Sequence, residues 1–133
     1  MKDVDNMVEI RWTSVRRGLV ISLILWAILR DLAGDAGGII GFFIATAYVG
    51  YNVGEGYKNG AIHGALVGIV GGVVGTVIIV ILYLIGLGTL AKELWPVTSL
   101  LQALIAIIIY AIIGAIGGTI GSVINKKPET TKN

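Results

Sequence analysis

The chain has 133 residues, 56% of them hydrophobic and 14% charged, with a formal net charge of +2 and no cysteine. A soluble domain this small has too much surface for its volume to bury so many apolar side chains, so the composition predicts an all-α membrane protein. The weak net charge forms no basic patch, which argues against a nucleic-acid partner, and the lack of cysteine excludes disulfides, iron–sulfur clusters and thiolate metal sites.

Read in order, residues 1–15 predict a charged cytoplasmic or interfacial segment in which Val8, Ile10, Trp12 and Val15 alternate with polar residues. Arg16 and Arg17 follow, with stems long enough to reach back to lipid headgroups. The first apolar run, 18–29, makes only about 18 Å of helix; extended to 16–32 it becomes a thin but workable span. A secretory signal is the competing reading, because a basic stretch precedes an apolar core. Asp3, Asp5 and Glu9 and the lack of a small-x-small cleavage site count against it.

The second span is 36–53, with Asp35 placed to cap it. The third, 61–88, exceeds the roughly 20 residues a bilayer needs and should tilt or kink. The fourth, 97–124, has Pro96 in its expected first turn and Trp95 as an interfacial anchor. Together the four spans predict one transmembrane domain over 16–125. A polar, disordered cytoplasmic tail over 126–133 follows.

The runs are continuously apolar and lack the period-two alternation of a barrel strand, so helices alone can satisfy the backbone in lipid. Charged residues between the two ends (Arg30, Asp31, Asp35, Glu55, Lys58, Lys92 and Glu93) fall in or beside breaks between runs. Four spans put both termini on one side. That side carries every lysine and arginine except Arg30 and Lys92, which predicts cytoplasmic N and C termini.

The twenty glycines are spaced for helix packing. Gly60, Gly64, Gly68 and Gly72 recur at every fourth position, with Gly71 and Gly75 on the neighbouring face. Gly114 and Gly118, with Gly117 and Gly121, form a second set, and Gly37 and Gly41 continue to Ala45. Residues four apart share a helix face, so these rows predict flat grooves where two backbones meet. The expected fold is a four-transmembrane-helix bundle with glycine-zipper packing. Its third and fourth helices should touch in the cytoplasmic half, while 77–84 and 100–109 splay or face lipid.

The segments VEIRWTSVRRGLVISLIL, GGIIGFFIATAYVGY and, above all, GYKNGAIHGALVGIVGGVVG resemble the archaeal DUF5518 membrane proteins, over about residues 8–124. The resemblance implies a small archaeal multi-pass membrane protein and carries with it no established activity and no catalytic residue.

Candidate sites are few. Glu55, Asn59 and His63 surround the start of the third span, as either a proton or cation site or a histidine that reaches the interface or bonds a helix end. Arg30, Asp31 and Asp35 read as an ion-attracting mouth or as a loop ion pair with a helix cap. Lys92 and Glu93 read as solvated loop. Thr76, Gln102, Thr119 and Ser122 would line a narrow path or bond to nearby carbonyls. Tyr48, Tyr51, Tyr57, Tyr83, Trp12 and Trp26 read as interfacial or lipid-facing aromatics. Gly54-x-Gly56 followed by Gly60 lacks the spacing and context of a phosphate loop. No nucleophile–base pair or carboxylate dyad suggests an enzyme, and the residues call for no cofactor and no metal.

The expectation is a multi-pass protein of the cell membrane whose partners are the lipid bilayer and either copies of itself or other membrane proteins. Its role would be structural: self-association or support of a membrane complex. A small oligomeric channel or transporter for ions or small solutes is the alternative.

Overall fold

Residues 9–54, 56–94 and 99–125 are described in a computed structural model, and all regular elements among them are helices. These are α1 (Trp12–Val53), α2 (Tyr57–Leu84), α3 (Gly88–Leu94) and α4 (Leu100–Ile124). Glu55, Trp95, Pro96, the tail 126–133 and the first eight residues lie outside the described residues.

α1 is two helical limbs joined by a sharp break. Ala33 (φ −136°, ψ 17°) and Gly34 (φ 67°, ψ −155°) leave the helical region. The Gly34 conformation is essentially reserved for glycine, because a Cβ there would strike the backbone. The chain therefore reverses. Gly37 comes to lie against the Leu29 carbonyl, Gly41 against Leu25, and Gly18 against Val49. The limbs, 12–32 and 35–53, form an antiparallel hairpin whose inner seam is made of glycines. Gly54 (φ 57°, ψ −144°) makes the same kind of turn into α2.

α1, α2 and α4 all pack against one another, and α3 touches α2. α2 has 28 residues and α4 has 25, so at ~1.5 Å rise each is longer than the roughly 30 Å of a bilayer's hydrocarbon. Both are long and apolar enough to cross a membrane.

Two boundaries differ from expectation. The third apolar run does not continue to residue 88. α2 stops at Leu84, and Gly86 (φ 84°) turns the chain before α3 begins at Gly88. α4 also starts later than 97. Ser99 is extended (φ −144°, ψ 156°), and its hydroxyl accepts from the Gln102 N–H at 3.3 Å, which fixes the cap there.

The distribution of side chains is inverted relative to a water-soluble bundle. Small residues line the interior: Gly18, Ser22, Gly41, Ala45, Thr46, Gly64, Gly114 and Ser122 are all buried. The bulky residues point outward; Ile24, Ile40, Val77, Ile81, Leu101, Ile108 and Ile116 are each more than 40% exposed. Among the described residues a small cluster of Val15, Phe42, Val49, Val53 and Val67 forms a conventional apolar core.

Candidate functional site

The most constrained region is the seam between α2 and α4. A Cβ on Gly64 would land on the Gly114 carbonyl, and one on Gly114 would land on the Gly64 carbonyl. Gly60 and Gly118 oppose each other in the same reciprocal way. Gly68 faces Tyr110, and Gly72 faces Ile107. The row at every fourth position of α2 thus lies along the backbone of α4, at a separation only hydrogen side chains permit.

The other glycines of α4 serve a different partner. Gly121 lies on the Ala47 carbonyl and Gly117 beside Thr46 and Phe43, so both face the second limb of α1 and not α2. Gly75 packs against nothing: no atom lies within 4 Å of where its Cβ would be. It therefore makes no close backbone contact of the kind expected of it, and it borders an open space instead. Gly50, which faces Gly118, and Gly38, which accommodates the Trp26 indole, belong to the packing set but escaped the sequence reading. The signal was present in the row Gly38–Phe42–Thr46–Gly50, but Phe42 interrupts the run of small residues.

His63 is fully buried at the start of α2. Its Nε2 accepts the Arg11 backbone N–H at 2.9 Å, and its Nδ1 lies 2.8 Å from the Asn59 carbonyl, to which a protonated Nδ1 donates. One neutral tautomer satisfies both contacts. Arg11 is the N-cap residue of α1, so the side chain ties the start of α2 to the start of α1 through two residues 52 positions apart. Glu55, the acid expected beside it, lies outside the described residues.

At the opposite end of the hairpin, Arg30 collects the polar contacts. Its Nε is 3.2 Å from Asp35 Oδ1. Its guanidinium donates to the Glu93 carbonyl at 2.6 Å and lies 4.9 Å from the Trp26 ring centre. The cluster links the α1 turn to the end of α3. Asp35 is consumed in the ion pair, at 83% side-chain exposure. Asp31 is exposed on the same turn. The structure does not bring His63 and the Arg30 cluster together, since they occupy opposite ends of the bundle.

Trp26 is half-buried. The Tyr110 ring meets Phe42 edge-on at 4.9 Å and 88°. These three rings, with Ser22, Leu23, Gly68, Gly71, Gly72, Gly75, Ile78 and Ile79, line a cavity of about 140 Å³ that opens sideways between α1 and α2. Trp12, Tyr48, Tyr51, Tyr57 and Tyr83 are exposed on the outside.

The polar residues inside the helices are committed locally. Thr76 bonds the Gly72 carbonyl at 2.8 Å, Thr119 the Ala115 carbonyl at 2.7 Å, and Ser122 the Thr119 carbonyl at 2.9 Å. Gln102 sits in the first turn of α4, where its N–H meets the Ser99 cap. Among the described residues no three His, Asp or Glu side chains gather as a metal set.

The model of a protein family described as "Family of unknown function (DUF5518)" matches residues 12–124. No curated protein and no solved structure matches the chain.

Proposed function

As the chain belongs to the DUF5518 family, a family of unknown function, we propose its role from its own geometry. It is a multi-pass membrane scaffold, a four-span glycine-zipper bundle that self-associates or supports a larger membrane complex. The two limbs of α1, together with α2 and α4, are its four crossings. Both termini lie in the cytoplasm, where the arginines and lysines flanking the spans are concentrated.

One observation carries the reading: the bundle is glued by backbone contact through small residues and presents bulky apolar side chains outward. In lipid the hydrophobic effect does not press helices together, so close packing and weak Cα–H···O contacts must. In water the same exterior would be an aggregation surface. The geometry supports packing over conduction by a single chain, because Thr76, Thr119 and Ser122 bond to carbonyls of their own helix and Asp35 is paired with Arg30. Among the described residues no constellation of side chains points to catalysis.

Carbonate washing of native membranes, followed by amine-reactive crosslinking, tests the proposal. The protein should stay in the pellet and crosslink into a discrete oligomer or a defined complex. Release into the wash defeats the membrane placement. Retention as a strictly monomeric, partnerless chain defeats the scaffold role.

A further inference from the structure

We propose that the sideways cavity between α1 and α2 holds one hydrocarbon chain of a phosphate-bearing membrane lipid, with its phosphate at Arg30. The inference rests on the membrane placement proposed above.

Three features select this occupant. The wall is almost wholly hydrocarbon, and a space of about 140 Å³ is comparable to an engineered apolar cavity of roughly 150 Å³ that stays dry and takes up benzene. It suits several methylene groups and repels water. The opening is on the outer face of the bundle, where Leu23 and Ile78 form an exposed rim. At membrane depth the solvent entering there is lipid tail. Gly75 keeps the floor open: a helical glycine with free space beside it gains nothing from packing, and any larger residue would project into the groove.

The headgroup follows from charge. Arg30 is one helical turn beyond Trp26 on the same face of α1, and its guanidinium stacks on the ring that lines the groove. A planar guanidinium fork suits two oxygens of a phosphate. Its carboxylate partner, Asp35, is 83% exposed while the Arg30 side chain is 20% exposed; a phosphate would take that carboxylate's place at the guanidinium and leave the bond to the Glu93 carbonyl intact. A chain seated in the groove therefore brings its phosphate to the cation at the groove's end.

The test uses the full chain in phosphatidylcholine nanodiscs doped with either of two photoprobes. One is phosphatidylglycerol with a diazirine in its acyl chain. The other is diacylglycerol with the same chain and no phosphate. Wild type should be labelled by the phosphatidylglycerol probe at Leu23, Trp26 or Ile78, several-fold more than at Leu101 or Ile108 on the outer face of α4. Gly75→Leu should cut groove labelling at least fivefold with unchanged helicity and melting temperature. Arg30→Gln should abolish the preference for the phosphate-bearing probe.

Equal labelling of groove and outer face, or labelling unaffected by Gly75→Leu, overturns the proposal. So does a wild-type protein that takes both probes alike. If the chain fails to enter nanodiscs at all, the membrane reading fails instead, so the two failures are separable.

Discussion

A single methyl group reads out the contact between α2 and α4. Gly64→Ala places a Cβ on the Gly114 carbonyl, where only backbone movement can relieve the clash. The expected cost is about 1–3 kcal/mol, the range for overpacking a tight interior. Gly75→Ala, eleven positions on, meets open space; it should be neutral or stabilise by up to ~1 kcal/mol, because alanine is the better helix former. Thermal unfolding in detergent measures both, and equal melting temperatures for the two variants would remove the case for a backbone seam. His63 supplies the second residue-scale prediction. Truncation to alanine removes the acceptor of the part-buried Arg11 N–H, which should cost about 0.5–1.5 kcal/mol. Hydrogen exchange should then accelerate in the first turn of α1 while α4 stays protected. Periodicity in the sequence located Gly64 and Gly114 because every fourth residue shares a face. It could not reveal that Gly75 faces a void or that His63 reaches Arg11, because partners 52 residues apart leave no local trace.

At the scale of elements, the breaks matter more than the helices. Apolar runs separated by charges were legible, and α2, α4 and the limbs of α1 follow them. The early stop of α2 was harder to read, because Gly86 and Gly88 sit in an apolar stretch that looks continuous by hydropathy; only the positive φ of Gly86 separates α2 from α3. The assignment of faces on α4 was equally hidden. Four glycines within eight positions mark a helix with two close neighbours, but composition does not say which glycine meets which helix. The hairpin break yields a sharp prediction. Gly34 has φ 67° and ψ −155°, and a Cβ there costs about 1–3 kcal/mol whatever space surrounds it. Gly34→Ala should therefore lower the melting temperature even though no atom lies within 4 Å of the new methyl. An unchanged melting temperature would mean that the two limbs do not depend on that turn.

For the molecule as a whole, orientation is the quantity that sequence charge addresses and packing does not. The chain has no native cysteine, so single cysteines give clean reporters. Lys92→Cys should react with an impermeant maleimide applied outside intact cells. Arg17→Cys should react only after lysis. The opposite pattern would invert the proposed topology, and labelling of both from outside would rule out four crossings. α4 contacts both the α1 hairpin and α2 and follows both in the sequence. A ribosome delivers the N-terminal elements first, so under the proposed membrane placement the hairpin and α2 wait with Gly60, Gly64 and Gly68 uncovered until α4 arrives. A message truncated before residue 100 would leave that strip permanently bare and available to α4 of a neighbouring intact molecule, so such fragments should act as dominant poisons of assembly and not as silent losses.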